Sequence, residues 1–144
     1  MPGAPGRYLG LDVGEKRIGV ALSDETATLA SPLTTLARAG VRRDTAAVAD
    51  LAQRHDVAAV VVGLPLNMDG TRGAQAEKVI AFADALRRRI RVPVVPRDER
   101  LTTVEAEEWL REAGMGWRER KRVIDQTAAV VILQEYLDLR EERA

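Results

Sequence analysis

The sequence predicts an α/β fold: a mixed five-stranded sheet, three strands in an antiparallel meander and two parallel, with helices on both faces. Three observations carry this. Apolar runs with period-two alternation fill the first quarter of the chain. Val57 to Val62 is apolar throughout, the pattern of a strand buried on both faces of a parallel sheet. From there on, strand-like runs alternate with amphipathic stretches, which demands right-handed crossover connections.

Tyr8 to Gly14 and Arg17 to Ser23 flank a turn signal at Gly14-Glu15-Lys16 and read as a hairpin. Thr28 to Thr35 reads as a third strand at a sheet edge, because Pro32 cannot donate to a ladder and is tolerated there. An amphipathic helix over about 43–54 leads into the strand Val57 to Val62, and Gly63 to Gly70 reads as a loop. A long helix over about 71–89, a strand from Val92 to Val95, a helix over 103–113 and a last helix over about 118–139 complete the order βββαβαβαα. The T-x-x-E spacing of Thr102 and Glu105 is that of a capping box.

Composition narrows the function classes. With 144 residues, 46% hydrophobic and 31% charged, the chain is expected to be one soluble domain, 1–144, with 1–6 as a flexible tail. That tail has no apolar signal region, and no run nears the roughly 20 apolar residues of a membrane helix, so the expected setting is the cytoplasm. The absence of cysteine agrees with that setting and removes disulfides and thiolate chemistry. A single histidine, His55, falls near the end of the first helix, where a solvated or capping role is expected. Any bound metal would therefore be held by oxygen, which points to Mg2+ or Mn2+.

Net charge is zero, so whole-chain electrostatics does not mark a nucleic-acid binder. Local charge is less even: Arg87, Arg88 and Arg89 with Arg91 form one basic cluster, and Arg118, Arg120, Lys121 and Arg122 another. Five aromatic residues are too few for the stacking platforms of single-strand binders, and Trp117 is expected to pack between the last two helices.

Three acids stand out. Asp12 alternates with Leu9, Leu11 and Val13 and shares a face with Tyr8 and Gly10, where a carboxylate costs several kcal/mol unless compensated. Glu99 lies between the last strand and the next helix, the edge at which open α/β sheets bind ligands. Asp125 precedes Ala128, Ala129 and Ile132 by three, four and seven residues and so shares the face that packs on the sheet. Each has a structural reading as well: a strand-end pair of Asp12 with Lys16 or Arg17, a loop acid beside Arg97 and Arg100, and a helix ion pair of Asp125 with Lys121 or Arg122. Converging on one sheet edge, they suit divalent-metal hydrolysis of a phosphodiester. Asp98 competes with Glu99, although neighbours leaving a strand point to opposite faces.

The element order, with an acid on the first strand and one on the last helix, is similar to the RNase H-like fold of nucleases and integrases. Four motifs, Leu9 to Leu22, Val62 to Gly70, Asp98 to Ala106 and Ile124 to Gln134, together resemble the YqgF family over about 8–136. Its members are described as Holliday junction resolvases and as pre-16S rRNA nucleases. The resemblance implies metal-dependent endonucleolytic cleavage of nucleic acid, an rRNA precursor or branched DNA, with Asp12, Glu99 and Asp125 as the matched acids. Lys16, Arg17, Asn67, Arg100, Lys121 and Arg122 are the candidate substrate contacts; Asn67, like Asp69, also suits an Asx turn within its loop. The family's description favours 5′-end maturation of 16S rRNA. Junction resolution is the alternative and calls for a symmetric dimer, whereas a monomer suffices for trimming. Two other classes remain open: a non-catalytic nucleic-acid-binding factor in ribosome maturation, and an ATPase, since Asp12-Val13-Gly14 also resembles the first phosphate loop of the actin and sugar-kinase group.

Overall fold

The computed structural model describes residues 6–99, 114 and 128–140. The strands are β1 (Arg7–Val13), β2 (Arg17–Ser23), β3 (Ala30–Ala37), β4 (Val57–Leu64) and β5 (Val94–Asp98); the helices are α1 (Val41–Arg54) and α2 (Ala74–Arg87), and 128–140 is also helical. They form one sheet in the order β3-β2-β1-β4-β5. β1, β2 and β3 are antiparallel neighbours, and β4 and β5 run parallel to β1, the mixed sheet that the alternation and the apolar run imply.

Both faces are covered. Leu9, Leu11, Ile18, Val20, Val60 and Val62 pack under α1 and α2, which contribute Val48, Leu51, Val79, Phe82 and Leu86. On the other face Tyr8, Ala21, Ala59 and Val61 pack against Ala129, Ile132, Leu133 and Leu137. β4 is central and needs apolar side chains on both sides, which is why its sequence lacks alternation. Gly10 keeps the helical segment close: a Cβ there would lie 2.7 Å from Leu133 Cβ and 3.0 Å from the Ala129 carbonyl. Gln134 fixes the same helix to the sheet edge, accepting from the Ala30 amide and donating to the Thr28 carbonyl, both at 2.9 Å.

Several boundaries differ from the sequence expectation. β3 begins at Ala30, not Thr28, because Asp24 caps the preceding turn, accepting from the Thr28 and Leu29 amides. Pro32 does sit in this edge strand, beside a register irregularity. β4 runs on through Gly63 and Leu64, which the sequence assigns to a loop, because β5 continues alongside and pairs with both. β5 itself spans Val94–Asp98, where Val92 to Val95 is expected. α1 starts at Val41, two residues early, behind Gly40 at φ 111°. α2 starts at Ala74, not Thr71, because Asp69 Oδ1 takes the Thr71 amide and hydroxyl into an Asx turn. The expected helix over 103–113, its capping box, Trp117 and the start of the last helix lie outside the described residues.

Candidate active site

Asp12 and Glu99 meet on the face that carries the helical segment. Strand alternation puts Asp12 with Tyr8 and Gly10, and Tyr8 belongs to that face's core. On β4, Gly63 follows Val62, the partner of Leu11, and is itself paired with Arg97 on β5. Gly63 thus stands between Asp12 on one side and the end of β5 on the other. Just past β5, Glu99 is held by its amide, which donates to the Leu64 carbonyl at 3.1 Å. Its side chain reaches back across β4 to hydrogen-bonding contact with Asp12.

The electrostatics of this pair are unusual for carboxyls. Burial, then the Asp12 charge and the hydrogen bond to Asp12, then Asp98, push Glu99 up from 4.5 to about 8. The shift favours the protonated form of Glu99 at neutral pH. Glu99 Oε2 is buried with no hydrogen-bond partner among the described residues. Asp98, the competing acid, is exposed and points from the other face of β5. Among the described residues no three acids or histidines gather into a metal-ligating group, and Asp125 lies outside them. Two carboxyls in contact, one with an orphaned oxygen, are oxygen donors that fit a hard divalent cation.

The other candidates fall unevenly. Arg17, at the start of β2, shares Asp12's face by alternation and is exposed; Lys16 is exposed in the turn. Asn67 lies in the loop leaving β4 at the same sheet edge, but its Nδ2 donates to Thr71 Oγ1 at 2.9 Å and its amide to the Thr71 carbonyl at 2.8 Å, so it closes the loop. Arg100, Lys121 and Arg122 lie outside the described residues. Arg87 is paired with Asp84 at 2.7 Å, the surface ion pair expected of a solvated helix face. His55 occupies the C-cap of α1. A cleft of about 860 Å³, lined by Gln53, Asp56, Val57 and Arg91 among others, lies at the opposite end of β4 from both acids.

Sequence reasoning missed two supports. Arg38 donates from Nε to the buried Asp44 at 2.6 Å and from Nη1 to the Gly14 carbonyl at 2.7 Å, and its guanidinium lies 5.7 Å from the Phe82 ring centroid. It ties the β1–β2 turn, two residues from Asp12, to the start of α1. Nothing in local periodicity marks this long-range contact. The second is Gly63, whose position inside an apolar strand is a recognisable sign of close approach.

The family model described as "RuvX: Holliday junction resolvase" matches residues 6–139. A protein of Caldanaerobacter subterraneus subsp. tengcongensis, provisionally named a pre-16S rRNA nuclease, is 51% identical over 133 residues, 92% of this chain and 96% of that one. A relative from Syntrophus aciditrophicus, under the same provisional name, is 51% identical over 92% of this chain and 88% of its own length. In fold the chain is similar to Thermus thermophilus RuvC, solved in complex with a Holliday junction substrate, with a TM-score of 0.65 at 19% identity over 94% of this chain and 96% of that one.

Proposed function

The chain belongs to the RuvX, or YqgF, family, and from that membership we infer that it is a nuclease that hydrolyses nucleic-acid phosphodiester bonds with a divalent metal, Mg2+ or Mn2+. The observation that carries the chemistry is the contact of the half-buried Asp12 and Glu99, in which Glu99 Oε2 is buried and unpartnered among the described residues. In this reading Asp12 and Glu99 hold the metal together with Asp125. Bound there, the cation supplies Lewis acidity and a water made nucleophilic at neutral pH.

The protein's own groups do the rest. Deprotonation of Glu99 frees both carboxylates as ligands, and their partial burial beside Ile132 and β4 strengthens the charge interactions at the site. Arg17 on Asp12's face and Lys16 in the adjoining turn would hold phosphate oxygens, with Arg100, in a matched motif, and Lys121 and Arg122, in a basic cluster of the sequence, as further contacts. Asn67 contributes by shaping the loop rather than by a free amide.

The names of relatives about half identical to the chain support an rRNA precursor as substrate; cleavage at the 5′ end of 16S rRNA, in the cytoplasm and by a monomer or homodimer, completes this reading. The description of the family supports a second reading, a four-way DNA junction. The deciding experiment incubates wild type and Asp12→Asn with a labelled 5′-extended 16S precursor and a labelled four-way junction, in Mg2+ and in Mn2+. Metal-dependent cutting lost in the variant is the expected result, and the preferred substrate chooses between the readings. Binding of either nucleic acid by both proteins without cutting would replace the nuclease with a binding factor.

A further inference from the structure

Resting on the metal-dependent reading of the Asp12–Glu99 pair, we propose that Gly63 is a positioning residue: the space left by its missing side chain is the seat through which Glu99 crosses β4 to reach Asp12. The register makes this necessary. Asp12 stands on β1 and Glu99 just beyond β5, with β4 between them, and any side chain at Gly63 on this face would occupy the intervening space. A Cβ built on Gly63 falls against Glu99 Oε2, 2.8 Å from its Cδ and 2.5 Å from Ile132 Cδ1. Real Cβ atoms do not approach that closely, so Glu99 and Ile132 would both have to move.

The backbone gives glycine no other reason to be here. Gly63 lies within a paired strand, and among the described residues the glycines at positive φ are Gly40, Gly70 and Gly114. Alanine would satisfy the ladder as well and would ordinarily favour the strand over glycine. What it would not do is leave Glu99 its path. The orphaned oxygen of Glu99 is the atom the Gly63 gap admits, so the seat aims the donor rather than filling core.

Because Gly63→Ala also crowds Ile132, one substitution alone would confuse packing with positioning. Ile132→Val removes the Cδ1 atom and relieves that half of the clash. Full-length wild type, Ile132→Val, Gly63→Ala and the double variant Gly63→Ala/Ile132→Val would be compared by unfolding in chelator and by calorimetric titration with MnCl2 at a temperature where all are folded. The expected result is that the double variant regains the metal-free melting temperature of Ile132→Val, yet binds Mn2+ at least about tenfold more weakly, the scale on which supporting residues tune metal sites. Wild-type affinity in the double variant would overturn the proposal. So would a loss of affinity that merely tracks the loss of melting temperature. Absence of Mn2+ binding by the wild type would be a different failure, that of the metal-site reading itself, and would remove the basis for a seat.

Discussion

Glu99 and Asp12 make the stability of the metal-free protein depend on pH in a direction opposite to that of most carboxylates. The Glu99 carboxyl is raised from 4.5 to about 8 on folding, so its protonated form is favoured in the native state. The stability it contributes is fully present below about 4.5 and is lost as pH rises through about 8. In chelator, the melting temperature of the wild type should fall between pH 5 and pH 9, corresponding to a loss on the order of 1–3 kcal/mol. Glu99→Gln should flatten this portion of the profile and be the more stable protein at pH 9. Saturating Mg2+ should reverse the wild-type loss, because a bound cation replaces the proton. A wild-type profile that rises or stays level across this range would contradict the protonated Glu99. At this scale the sequence was partly legible: strand alternation placed Asp12 on the face it occupies, and the preference for Glu99 over Asp98 rested on neighbours leaving a strand toward opposite faces. The distance Glu99 must reach, and the gap it reaches through, depend on the parallel pairing of three strands, which no local pattern specifies.

Elements are held around the site by two contacts that mutation can probe separately. Arg38 bridges the β1–β2 turn and α1, and its partner Asp44 is 3% exposed. Arg38→Ala would leave that charge buried without its ion-pair partner and should cost about 3 kcal/mol, read as a lowered urea midpoint at unchanged slope. Arg38→Lys should recover little, since one ammonium cannot reproduce the two-armed contact with Asp44 and Gly14. Gly10→Ala should cost about 2 kcal/mol by driving a methyl into Leu133 and the Ala129 carbonyl, lifting the helical segment from the sheet; no change in stability would mean that the helix is free to shift. Element types were legible from periodicity, because period two and continuous apolar runs are imposed by the faces they bury. Boundaries were not, and the reasons are side-chain caps: Asp24 delays β3, Asp69 delays α2, and the β5 ladder draws Gly63 and Leu64 into β4.

At the scale of the molecule, a sheet covered on both faces leaves its strand ends as the place for chemistry, and β1, β4 and β5 all deliver their carboxyl ends to the edge where Asp12 and Glu99 meet. Among the described residues no helix is long and apolar enough to cross a membrane. The meander followed by parallel strands was legible because crossovers and burial on two faces leave few topologies for this element order; the roles expected of Asp125, Lys121 and Arg122 fall outside the described residues. A metal centre at the half-buried Asp12–Glu99 pair has a direct physical signature, since a cation must displace the proton that Glu99 holds. Titrating MnCl2 into the full-length protein by calorimetry, in buffers of different ionisation enthalpy, counts that proton. About one proton should be released per bound ion at pH 7, vanishing near pH 9 and absent in Glu99→Gln. Binding without proton release at pH 7, or release undiminished in Glu99→Gln, would contradict a metal centre at this pair.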